Sequence, residues 1–126
     1  MNFVCNLNID FYRAVLSEIA SDEVIITERA IEHIKKEHPG DYENYSKYFP
    51  EIITAPNYIL AANKPNRAML LKEIEVEERK LKLILQIKTS SEPAEYKNSV
   101  VTFNSISEKR YERYIRNGEI LYEKAK

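Results

Sequence analysis

The sequence predicts one α+β domain over residues 1–126, with helices laid on one face of an antiparallel sheet. Three observations predict it. Helical periodicity gathers in the first half of the chain. Strand periodicity gathers in the second. No repeat, low-complexity stretch or linker divides the two, and 126 residues with 44% apolar content suit one domain with one core.

The elements follow in order. Phe3–Leu7 has the pattern of a short strand. Asp10 is placed to cap a helix through Ile19, with Tyr12, Val15, Leu16 and Ile19 on one stripe. Glu23–Thr27 is a strand, and Thr27 caps a helix to Glu37, which Pro39-Gly40 ends. Asp41 can cap a tyrosine-rich helix from Tyr42 to Phe49. Pro50 starts another helical turn, and Pro56–Leu60 is extended. After a turn at Asn63–Asn66, Arg67–Val76 and Lys80–Thr89 form a hairpin. Leu81, Leu83, Leu85 and Ile87 alternate there with a mostly polar set. Ser90–Asn98 is a polar loop and Ser99–Asn104 a further strand. Ser107 caps a basic helix, Glu108 to Arg116, stopped by Asn117-Gly118. Glu119–Tyr122 is a last strand.

Composition excludes several classes of function. Two glycines leave no room for a glycine-rich phosphate loop, and a single cysteine forms no internal disulfide. A lone thiol suits a reducing compartment. No apolar run is long enough for a bilayer, and the N-terminus lacks the basic and apolar regions of a signal peptide, so a soluble cytoplasmic protein is expected. The net charge of −1 is unevenly spread. Residues 1–79 hold 9 Lys/Arg against 14 Asp/Glu, a net −5. Residues 80–126 hold 10 against 6, a net +4. The basic half could attract phosphate, or both halves could simply carry solvated faces.

Few residues stand out for chemistry. His33 and His38 lie about 140° apart around a helix, which is not the spacing of a helical zinc pair, and no Cys or Asp/Glu cluster supports a metal. His33 sits at the edge of the apolar arc of Ala30, Ile31 and Ile34, where a partly covered imidazole could serve as acid or base, or be an ordinary boundary residue. His38 is placed to cap the helix end. Thr102, on the strand within Lys97-Asn98-Ser99-Val-Val-Thr102-Phe-Asn104, carries a hydroxyl that needs a partner if buried. Arg110, Arg113 and Arg116 interleave with Tyr111 and Tyr114. That suits RNA phosphates and bases, and equally an amphipathic helix with tyrosines in and arginines out. Cys5 has the setting of a small buried hydrophobe.

Three segments carry a resemblance: Ile-Glu-His33-Ile-Lys-Lys-Glu-His38-Pro, then Tyr48-Phe-Pro50-Glu-Ile-Ile-Thr-Ala-Pro56-Asn-Tyr-Ile, then Tyr96-Lys97-Asn98-Ser99-Val-Val-Thr102-Phe. Together with the run into Ser107-Glu-Lys-Arg110, they resemble the phage-associated barnase–EndoU–colicin–RelE-like nuclease domains over roughly residues 20–123.

The resemblance implies N-terminal helices on a curved antiparallel sheet of about four strands. It also implies metal-independent RNA cleavage by the ribose 2′-oxygen, without a cofactor. His33 matches the helical histidine and Thr102 the strand threonine, with Lys88 and Lys97 holding phosphate charge. His38, Asn98, Ser99 and Arg110 are the implied substrate contacts. RNA, such as tRNA or mRNA, is the implied partner, along with an antidote protein of the kind toxin-like nucleases have; no membrane is involved. The alternative is a non-catalytic RNA- or protein-binding module of the same fold, using the Lys109–Arg116 helix. A site of this composition requires His33, Lys88, Lys97 and Thr102 to converge on one cleft.

Overall fold

Alternating apolar residues build one open sheet. A computed structural model of the chain describes residues 2–13, 19–88 and 97–124. In chain order the elements are β1 (Asn2–Asn6), α1 (Ile9–Tyr12), β2 (Glu23–Ile26), α2 (Glu28–Glu37), α3 (Asp41–Tyr45), α4 (Phe49–Thr54), β3 (Tyr58–Ala61), β4 (Arg67–Ile74), β5 (Arg79–Gln86), β6 (Asn98–Ile106), α5 (Glu108–Asn117) and β7 (Ile120–Glu123). The strands lie in the order β1-β2-β6-β5-β4-β3-β7.

Two differences from expectation concern the sheet. Among the described residues it has seven strands, not about four, and it is mixed, because β2 runs parallel to β6 with Val24 opposite Asn98 and Ile25 opposite Ser99. The antiparallel block β6-β5-β4-β3 is extended by β2 and β1 on one side and by β7 on the other, leaving two free edges. The helices also do not share one face. Ile31 and Ile34 of α2, Phe49, Ile52 and Ile53 pack on one face with Leu70, Leu81, Leu83, Leu85 and Phe103. Tyr111 of α5 packs on the other with Leu60 and Leu71. Leu70 and Leu71 are neighbours on β4, so their side chains point to opposite faces and the two cores lie on opposite sides of the sheet. Each fully buried Leu or Ile contributes about 1.5–3 kcal/mol by leaving water, so the larger core dominates stability.

The helix caps separate into those read correctly and those misplaced. Thr27 Oγ1 accepts from Ala30 N at 3.1 Å and Ser107 Oγ from Arg110 N at 3.1 Å, as expected of the two caps. The cap of α1 is Asn8, whose Oδ1 accepts from Phe11 N. Asp10 lies inside the first turn and pairs with Arg13 at 2.7 Å. The expected continuation to Ile19 crosses residues 14–18, which lie outside the described residues, as does most of the expected polar loop at 90–98. Asp41 does not cap its helix either. Gly40 takes that position at φ +88°, and the Asp41 carboxylate accepts from Ser105 N at 2.8 Å and Ser105 Oγ at 3.0 Å. A long-range pair thus replaces the local one.

Candidate active site

Residues paired across strands share a face, so the register sets out the second face row by row. One row is Tyr58–Leu71–Lys82–Asn104 and the next is Leu60–Met69–Ile84–Thr102. The third crosses most of the sheet: Arg67–Gln86–Ser99–Ile25–Phe3. The helix α5 covers only part of this face. Between α5, the sheet and the β3–β4 turn lies a cleft of about 590 Å³. Its floor is Leu60, Met69 and Ile84. Its charged lining residues are Lys64, Arg67, Lys82 and Arg113, all cationic. A cleft lined by one sign of charge concentrates the field of its residues and favours an anion.

Tyr114 forms the helix wall of the cleft. Its hydroxyl receives a hydrogen bond from Arg110 Nη2 at 3.0 Å and meets Lys82 Nζ at 3.5 Å. Both cations also lie over its ring, at 5.8 and 5.4 Å from the centroid. Partial burial works to raise the phenol's pKa, but the hydrogen bonds and charges of Arg110 and Lys82 outweigh it, and the net shift is downward from 10.0. Tyr111, one turn earlier, shows the contrast: burial and its acidic and phenolic neighbours push it up. Arg67 is aimed by its Nε, which donates to Gln86 Oε1 at 2.7 Å. Gln86 Nε2 in turn donates to Asn66 O at 3.2 Å. Gly118 closes α5 against β3, where a Cβ would stand 2.3 Å from Leu60 Cδ2 and 2.6 Å from Tyr114 O.

On the same face, Thr102 Oγ1 and Asn104 Oδ1 are buried without a hydrogen-bond partner among the described residues. Unsatisfied buried polar atoms are uncommon in folded proteins.

Residues 7–123 match the family described as phage-Barnase-EndoU-ColicinE5/D-RelE like nuclease2. The chain belongs to this nuclease family. No curated protein and no solved structure matches it. The family match begins at Leu7, so β1 stands before it. Among the described residues no three His, Cys, Asp or Glu side chains gather as a metal site, and no helix is long and apolar enough to cross a membrane.

The residues that the resemblance assigns to nuclease chemistry do not all meet. His33 is exposed on α2, whose buried residues Ile31 and Ile34 face the larger core, whereas Thr102 lies on the opposite face of the sheet. The two therefore do not share a cleft. His38 is half-buried and stands at the C-cap of α2, where its backbone N–H donates to Ile34 O at 2.8 Å. Lys88 is buried just after β5, and its backbone N–H donates to Asn98 Oδ1 at 2.7 Å. Lys97 pairs with Glu23 at 3.4 Å. Asn98 is fully buried and also donates to Ser21 O at 2.6 Å and Glu23 O at 3.1 Å. Its amide thus ties together β2, β6 and the end of β5. Ser99 stands on the second face in the Arg67–Gln86 row, and Arg110 holds Tyr114.

Sequence reasoning passed over Lys64, Arg67 and Lys82, and took Tyr114 only as one of two tyrosines interleaved with the arginines of the basic helix. One signal was available. Lys82 belongs to the polar set of the β5 alternation, and that set faces the basic helix that follows the next strand. Tyr114 is not simply turned inward as an amphipathic helix suggests, because its ring is half-buried and its hydroxyl reaches the two cations.

Proposed function

We propose that the chain is a metal-independent endoribonuclease whose reaction takes place in the cleft beneath α5. The observation that supports this most is the Tyr114 hydroxyl, held between Arg110 and Lys82 at the wall of a cleft whose charged lining is wholly cationic. Membership of a nuclease family supplies the reaction class.

The chemistry follows from the groups present. Tyr114 as phenolate takes the proton from a ribose 2′-hydroxyl. The freed 2′-oxygen forms a bond to the adjacent phosphorus, and the bond from phosphorus to the 5′-oxygen breaks. Arg67 and Lys82 hold the negative charge of the five-coordinate phosphorus. The Lys82 ammonium gives a proton to the departing 5′-oxygen. The products are a 2′,3′-cyclic phosphate and a free 5′-hydroxyl. Tyr114 then returns its proton to Lys82, 3.5 Å away, and the site is reset.

The test is cleavage of a single-stranded RNA in excess chelator, with the new ends identified chemically. The expected result is 2′,3′-cyclic phosphate ends, a loss of about 10²-fold or more in Tyr114→Phe and Lys82→Ala, and retained activity in His33→Ala. Full activity in Tyr114→Phe, or loss in His33→Ala, overturns this assignment. Salt-sensitive RNA binding by the same cleft without any turnover would instead mark a binding module.

A further inference from the structure

The third row of the second face leads out of the cleft. It starts at Arg67, which lines the cleft, passes Gln86, Ser99 and Ile25, and ends at Phe3 on the edge strand β1. Four strand spacings of about 4.8 Å separate its ends, roughly 19 Å. Ile25 is buried, but Phe3 is 61% exposed and is the one exposed aromatic residue among the described residues.

An aromatic ring left in water keeps apolar area that a stacked base can cover. The strand that carries it is well held. Asn2 Nδ2 donates to Glu28 Oε1 at 2.8 Å, and Leu7 N donates to Asp22 O at 2.7 Å. The ring is therefore presented by a fixed strand, on the same face as the cationic cleft. Between them lie a hydroxyl and an amide, and the row itself carries no carboxylate.

From this continuity, and resting on the ribonuclease assignment above, we propose that Phe3 is a stacking platform for a base of the single-stranded RNA whose scissile phosphate sits in the cleft. The row from Phe3 to Arg67 sets the direction and span of the intervening nucleotides, which pass over the buried Ile25 without touching it. Stacking on an exposed ring accepts any base, so Phe3 lends affinity and strand length rather than sequence choice. Since β1 precedes the family-matched residues, this contact is an addition to the matched domain.

The chain has no tryptophan, which makes the test direct. Phe3→Trp introduces a single indole as a fluorescence reporter. In the Tyr114→Phe background, which removes cleavage under the assignment above, an eight-nucleotide single-stranded RNA should quench that fluorescence, and inorganic phosphate should not. Phe3→Ala should weaken binding of the same RNA roughly tenfold, with Phe3→Tyr restoring it, while cleavage of a dinucleotide by the Tyr114 protein stays unchanged. Unchanged RNA affinity in Phe3→Ala overturns the proposal. So does a dimer that Phe3→Ala converts to monomer without effect on RNA, because the ring would then cover a second copy. If the wild type binds RNA through Phe3 but cuts none, the ribonuclease assignment falls and the platform stands. If it cuts RNA and Phe3 is indifferent, only the platform falls.

Discussion

Lys82 Nζ lies 3.5 Å from the Tyr114 hydroxyl, across the gap between the central strand β5 and helix α5. Thirty-two residues separate the two in sequence. Together with the hydrogen bond from Arg110, their meeting gives a phenol that loses its proton more readily than usual. It also gives the cleft a group whose charge state depends on pH.

A pH profile should report that group. With Tyr114 as base, the rate of cleavage rises with pH up to the phenol's pKa, which lies below 10.0. Arg110→Ala removes a hydrogen bond and a positive charge that favour the phenolate, so the rising limb should move to higher pH. Arg110→Lys should keep part of the charge effect and shift it less. Measurement of kcat/KM against pH in the three proteins checks this, and an unmoved limb removes Tyr114 from the role.

Asn98→Ala should lower the unfolding free energy by about 3 kcal/mol, read by urea titration. It leaves the Lys88 N–H and the carbonyls of Ser21 and Glu23 without their partner in a buried site. A loss below about 0.5 kcal/mol would mean that this amide does not hold the junction of β2, β5 and β6.

Gly118→Ala should destabilise the chain by about 1–3 kcal/mol and weaken RNA binding with it, because the new methyl group collides with Leu60 and with the Tyr114 carbonyl. Thermal unfolding and RNA titration of one variant show both effects. The companion change Leu60→Ala relieves the Leu60 contact alone and leaves the clash with the Tyr114 carbonyl, so the double variant should not recover stability.

Thr102→Val should hold or raise stability by up to about 1 kcal/mol, since it removes a buried hydroxyl with no partner among the described residues. A drop in RNA affinity in the same variant would assign that hydroxyl to the substrate. His33→Ala, at an exposed helix position, should change stability by less than about 0.5 kcal/mol.

Local signals were legible and long-range ones were not. Thr27 and Ser107 announce their helices because a cap is satisfied within three residues. The alternation of Leu81, Leu83 and Leu85 announces β5 because side-chain direction in a strand has a period of two. Asp41 misled because its carboxylate is spent on Ser105, far along the chain. Asn98 has the look of a substrate contact until its three buried hydrogen bonds are seen.

Residue order alone carried the α+β class, most element positions and the resemblance that the family match over residues 7–123 bears out. It also singled out Arg110, but as a substrate contact and not as the partner of the Tyr114 hydroxyl. The parallel pairing of β2 with β6, the span of seven described strands and the placing of α2 and α5 on opposite faces emerge only in the folded chain. Those three features separate His33 from Thr102 and bring Lys82 to Tyr114. The physical reason is that periodicity tells which side chains share a face of one element. Which face meets which helix is settled by burying all the apolar faces at once.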